Sequence, residues 1–245
     1  MSMVVDDLRC CYSRGGPPVL EVDALDLEPG VCGLVGVNGA GKSTLLRTLA
    51  GCRRPENGRV RIDEVALYGP ARRTVVGRIG YMPQQLDLPG EMRVGDALAY
   101  ATWVRGVPAA ASRVRNPTLL ERVGLARESS KRVAQLSGGM NRRLALAVAL
   151  VTDPDVLLLD EPTTGLDPAQ RAALRGIVSD LDGTAVTVLS SHVMEDVAMM
   201  ASRIVVLHEG RLRHDGPIDA FVAERGGPDA SAEFAFLATI AGSVQ

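Results

Sequence analysis

Lysine is scarce in this chain of 245 residues. Of 27 basic residues only Lys42 and Lys131 are lysines, leaving 25 arginines. That skew fits a GC-rich coding sequence, and it makes the position of each lysine informative. Cysteines are few: Cys10, Cys11, Cys32 and Cys52. None forms a CxxC pair, and no Cys/His cluster has metal-ligand spacing. They read as reduced cytosolic thiols, with Cys32 a small buried hydrophobe in an apolar run. Long hydrophobic runs are absent. The longest, at 144–151, is far short of the roughly 18 residues that cross a bilayer, which argues against direct membrane insertion. The first residues are acidic where a secretory leader would be basic. The net charge of −2 gives no reason to expect nucleic-acid binding.

What remains is ordinary for a globular chain, with 46% hydrophobic and 23% charged residues. Strand patterns occur at 4–12 and 19–27, split by a turn-rich stretch at 13–18. Another apolar run, 31–36, enters a glycine-rich loop, and 43–50 then has helical spacing. Residues 58–62 and 65–68 suggest a strand pair, and 79–82 a strand halted by Pro83. Between 86 and 151 the pattern is mostly helical, at 94–104, 118–123 and 138–151. Strands return at 156–160, 185–190 and 204–208, with helices at 168–181 and 193–201 between them. That alternation predicts a parallel sheet with helices on its faces. Near the end, Phe234, Phe236, Leu237 and Ile240 suggest an apolar helical stripe packed on its own domain.

Gly36, Val37, Asn38, Gly39, Ala40, Gly41, Lys42, Ser43 and Thr44 match GxxxxGK[ST], with a strand before and a helix after. Glycines allow a tight bend in which successive N–H groups face phosphate oxygens, and the helix adds its positive end. Lys42 supplies a point charge for β- and γ-phosphates, and Ser43 a hydroxyl for Mg²⁺. One of the two lysines thus falls where phosphate chemistry wants one. Residues 156–162 form an apolar strand ending in Asp160 and Glu161. A carboxylate at such a strand end needs a cation, and beside a phosphate loop that cation is Mg²⁺ on ATP. Asp160 is placed to hold its shell. Glu161 can turn toward the water that attacks the γ-phosphate, as general base.

Leu136, Ser137, Gly138, Gly139 and Met140 follow the helical stretch and precede Asp160 by about twenty residues. Those motifs, in that order, resemble the ATPase subunit of an ABC transporter over nearly the whole chain. Met140 and Asn141 depart from the glutamine that many relatives carry after the glycines. The resemblance implies an α/β fold: a P-loop NTPase (RecA-like) core with an N-terminal antiparallel β-subdomain and an inserted α-helical subdomain. The expected limits are core 1–85 and 152–225, insertion 86–151 and a short C-terminal tail at 226–245. ATP and Mg²⁺ are the implied cofactors. Ser137, Gly138 and Gly139 would meet the γ-phosphate of ATP held by a second subunit, giving a head-to-tail dimer, here a homodimer. Tyr12 resembles the aromatic that stacks on adenine, although the following Ser13, Arg14 and Gly15 match loosely. Gln84, in preference to Gln85 one place later, resembles the glutamine that senses Mg²⁺ or water and links core to insertion. Asp167 resembles the acid that communicates across the dimer, and His192 the switch histidine on the γ-phosphate.

The resemblance also implies a separate transmembrane permease and a peripheral place on the cytoplasmic face of the membrane. Residues 86–103 are the expected groove for a permease helix, with Trp103 read first as insertion core and second as an interface anchor. Residues 119–125 and the run from Val133 into Arg143 look similar to bacterial exporter subunits for drugs, antibiotics or lipid-like cargo. The rival is a non-transport ABC ATPase. A DNA-repair or chromosome ATPase would need a long coiled-coil insertion, and a translation factor two such domains with a basic linker. The stretch between the phosphate loop and residue 136 is under a hundred residues and heptad-free. A net charge of −2 gives no basic linker, so a transporter subunit is the expectation.

Overall fold

The computed structural model describes residues 1–13, 15–180, 185–226 and 231–241. Arg14, Leu181 and part of the 226–245 tail therefore lie outside the described residues. The N-terminal strands β1 (Met3–Cys11) and β2 (Pro18–Leu27) pair antiparallel, with Met3 opposite Leu27. β3 (Gly30–Val35) follows, then β4 (Asn57–Ile62) on the other side of β1 and a two-residue β5 (Val65–Ala66) at the edge. The expected strand over 65–68 is thus cut short.

β6 (Ile79–Met82), β7 (Val156–Leu159), β8 (Val186–Ser191) and β9 (Arg203–His208) join β3 in a parallel set. The ten-stranded order is β5-β4-β1-β2-β10-β9-β3-β8-β7-β6. β7 and β8 are buried along their whole length, as parallel strands covered on both faces must be. Their alternate residues feed two cores. Leu157 and Leu159 pack with the helical insertion, while Val156 and Leu158 pack with β1, β4 and α1 (Lys42–Leu49). Leu158 is fully buried. Leu158→Ala is expected to cost about 2–5 kcal/mol, read as a lower urea midpoint.

β10 (Arg211–Pro217) was not expected. It runs antiparallel to β9 and touches β2 through the single pair Arg211 and Glu21. Its sequence is polar and half-exposed, so it carries no strand periodicity. The short helix α2 (Arg72–Gly77) was also missed.

The insertion contains α3 (Val94–Val104), α4 (Ala109–Arg122) and α5 (Gly138–Ala149). α4 begins nine residues earlier than the expected 118, after Pro108 and through Pro117. Only Leu119 and Leu120 are buried on it, so its first half shows no apolar stripe. Trp103 is not core. It is 73% exposed, with its ring 6.0 Å from that of Tyr100. Lys131 pairs with Glu128 at 2.6 Å.

After β7 come α6 (Pro168–Ser179), α7 (Met194–Ala198), α8 (Ile218–Gly226) and α9 (Ala232–Ala241). In α9, Phe236 is buried and Ile240 packs against the core, whereas Phe234 and Leu237 are exposed. The four residues therefore split between two faces instead of forming one stripe. Among the described residues no helix is long and apolar enough to cross a membrane.

Candidate active site

The loop after β3 is held by its own lysine. Lys42 Nζ donates to the carbonyl oxygens of Gly36 at 2.6 Å and Val37 at 3.2 Å. Lys42 opens α1 and is only 6% exposed. Burial pushes its pKa down, and the charges of Glu161 and Asp160 push it back up. Gly41 caps the helix at φ 105°, a conformation closed to most side chains. Gly36 serves differently. A Cβ there would lie 2.3 Å from the carbonyl oxygen of Leu207, so this glycine lets β9 approach.

The end of β7 faces this loop. Asp160 is fully buried. Its Oδ1 accepts from Ser43 Oγ at 3.1 Å and from Ser190 Oγ at 2.9 Å, and its Oδ2 from the Tyr81 hydroxyl at 3.5 Å. Burial, and then the charge of Asp160, push the Tyr81 phenol up to about 12, so it stays a donor. Asp160 with Ser43 can hold Mg²⁺. No cluster of three or more His, Cys, Asp or Glu able to hold a metal ion occurs among the described residues. One carboxylate and one hydroxyl suit an ion that draws the rest of its shell from phosphate and water, as Mg²⁺ does.

Glu161 stands at φ 50°, in the left-handed region, which costs a non-glycine residue about 1–2 kcal/mol. Its N–H donates to Ser190 Oγ at 2.9 Å. Its Oε2 accepts from Gln84 Nε2 at 3.2 Å and Thr164 Oγ1 at 3.0 Å. His192 Nδ1 lies 3.6 Å from Oε1. Gln84, Glu161 and His192, which are far apart in sequence, thus converge. Arg142 of α5 donates to the carbonyl oxygen of Gln84, and burial lowers its pKa.

A cavity of about 490 Å³ gathers most of the expected nucleotide residues. Asn38, Gly39, Ala40, Gly41, Lys42, Ser43 and Thr44 form one wall, with Gln84 and Glu161 beside them. Tyr12 stands at the far end, 78% exposed, with the Arg53 guanidinium 5.2 Å from its ring centre. Pro18, Val19, Glu209 and Gly210 complete the lining. No motif points to these four: Pro18 and Val19 open β2, and Glu209 and Gly210 belong to the turn into β10. Gly36, Asp160 and His192 do not line this cavity.

Ser137, Gly138 and Gly139 lie apart from it. Ser137 caps α5, accepting from the Met140 N–H at 3.3 Å. Nothing lies within 4 Å of a Cβ built on Gly138, whereas one on Gly139 would meet Gln170 Oε1 at 2.3 Å. Gly138 borders a second groove, about 410 Å³, between residues 84–90 and α5. Trp103 is not in that groove. Asp167 is exposed and caps α6, accepting from the Gln170 N–H at 2.8 Å.

The pattern of the ABC transporter family matches residues 21–164, more than half of the chain. The chain belongs to the ABC transporter family. It is an ATP-binding subunit of that family, whose ATP-binding domains hydrolyse ATP and work with transmembrane permeases. It is 40% identical over 219 residues to the Nod factor export ATP-binding protein I of Paraburkholderia xenovorans, covering 89% of this chain and 72% of that protein. It is 37% identical over 220 residues to the methionine import ATP-binding protein MetN of Caulobacter vibrioides, covering 87% of this chain and 66% of that protein. A solved ATP-binding subunit of an ABC transporter superposes with TM-score 0.86 at 28% identity, over 98% of this chain and 99% of that one. The ABC transporter subunits that resemble it thus include one named for export and one for import.

Proposed function

We propose that this chain is the ATP-hydrolysing motor of an ABC exporter, working as a head-to-tail homodimer on the cytoplasmic face of the membrane. Tyr12 stacks the base, the 36–44 loop wraps the phosphates, and Lys42 neutralises them. Ser43, Asp160 and Gln84 would hold Mg²⁺, which when bound would offset charge on the phosphates. Glu161 takes a proton from the attacking water as its oxygen bonds to the γ-phosphorus and the bond to ADP breaks. His192 donates a hydrogen bond to the γ-phosphate. Gln84 relays the event to the insertion.

The observation that carries the dimer is that Ser137, Gly138 and Gly139 stay outside the chain's own nucleotide cavity. The open N-terminus of α5 is a phosphate site that needs a second copy to supply the phosphate. ATP then closes the pair through contacts that exist only in the closed state, and hydrolysis removes them. Asp167, at the α6 end, faces the partner copy. The groove between residues 84–90 and α5 receives a cytoplasmic helix of the permease.

Ser137→Arg tests the sandwich. The variant is expected to bind ATP as a monomer and to lose the ATP-dependent dimer in light scattering. A normal ATP dimer from that variant would refute the arrangement. Import is the second reading, favoured by the 37% identity to a methionine importer. Inside-out vesicles with the permease separate the two: ATP-driven uptake into the lumen means export.

A further inference from the structure

Ser190 sits in β8 with no exposed surface, one residue beyond the pair Leu159 and Leu189 that aligns β7 with β8. Nothing in the motifs singles it out. Its hydroxyl nevertheless touches both carboxylate residues. It donates to Asp160 Oδ1 at 2.9 Å and accepts from the Glu161 N–H at 2.9 Å. A serine hydroxyl has one hydrogen to give, and here it is spent on Asp160. Asp160 Oδ1 also accepts from Ser43 Oγ. The Ser190 hydroxyl is thus joined to the metal-binding pair on one side and to the backbone of the general base on the other.

The second contact matters because of where Glu161 stands. Its φ of 50° turns the chain so that two adjacent acids, which would alternate across a strand, serve one site. A buried N–H at such a turn needs an acceptor, and β8 supplies it through a side chain. We infer that Ser190 is a positioning residue that fixes Asp160 and Glu161 in one catalytic geometry. This rests on the ATP-hydrolysing reading of the site. Ser190 has no exposed surface, so it acts through the two acids. It couples them, so that a loss on one side disturbs the other.

Ser190→Ala and Ser190→Thr test this in the full chain with Mg²⁺ and ATP. Alanine removes both hydrogen bonds, and threonine keeps the hydroxyl on a β-branched side chain that suits a strand. Ser190→Ala is expected to raise the Mg²⁺ concentration for half-maximal hydrolysis, and to lower kcat, each by about tenfold or more. Affinity for ATP without metal stays at the wild-type value, and Ser190→Thr restores most of both losses. Mn²⁺ titration of the ADP-loaded chain by electron paramagnetic resonance gives a readout independent of turnover, with weaker Mn²⁺ binding expected for alanine only. Wild-type metal dependence and kcat in Ser190→Ala would overturn the proposal. Equal defects in both variants, with metal-free ATP binding and melting temperature also lowered, would overturn it as well, because they mark a packing role. If the wild-type chain does not hydrolyse ATP, the motor reading falls, and the Mn²⁺ titration alone decides Ser190.

Discussion

Glu161→Gln is expected to bind ATP normally and to hydrolyse it about 10²–10⁴-fold more slowly, the usual loss when a positioned general base is removed. The substitution is nearly isosteric. An amide oxygen at 161 can still accept from Gln84 Nε2 and Thr164 Oγ1, so the site should keep its shape. What disappears is a group that accepts a proton. Under the proposed sandwich the persisting ATP keeps the pair closed, and an ATP-dependent dimer should accumulate in size-exclusion chromatography. Single-turnover kinetics provide the check. Wild-type turnover from this variant would remove Glu161 from the chemistry and leave His192 as the group to examine, since its Nδ1 is already 3.6 Å from the same carboxylate.

Lys42→Ala should abolish useful nucleotide binding. Truncating one member of a buried charge pair costs about 2–5 kcal/mol, some thirty- to several-thousand-fold in Kd. Two effects add here. The phosphates lose a cation that is 6% exposed and therefore poorly replaced by solvent. Asp160 and Glu161, whose charges act on Lys42, are left to repel the phosphates they flank. Calorimetry with ATP, with and without Mg²⁺, would measure the loss. Unchanged affinity would show that the loop amides alone carry the phosphates.

These predictions draw on residues that the sequence makes readable, and the reasons are local. The loop around Lys42 needs glycines, a lysine and a hydroxyl at fixed spacing, and the strand before Asp160 is apolar throughout. The parallel strands were legible because both faces are buried, which leaves no alternation to misread. Ser190 was not legible. Its proposed role depends on β8 lying beside β7 in one register, and in the run at 186–191 it is one of two adjacent serines with nothing to tell it from Ser191. β10 escaped because a half-exposed joining strand has no hydrophobic period, and with it went Glu209 and Gly210 at the nucleotide cavity. Trp103 shows the reverse error. A lone tryptophan amid apolar helix residues suggests core, yet its side of α3 is exposed. Arg142 belongs to the sequence motif, but its contact with the Gln84 carbonyl needs the insertion and core folded together.

The left-handed turn at Glu161 has a bearing on protein engineering. A search for thermostabilising changes would mark position 161 at once, since glycine there removes a torsional penalty of about 1 kcal/mol or more. Glycine's freedom in the unfolded chain and the lost bonds to Gln84 and Thr164 offset part of that gain, and the variant carries no proton acceptor at 161. A change chosen for its torsion alone would therefore discard the proposed general base, and a hardened version of the chain has to find its gains elsewhere.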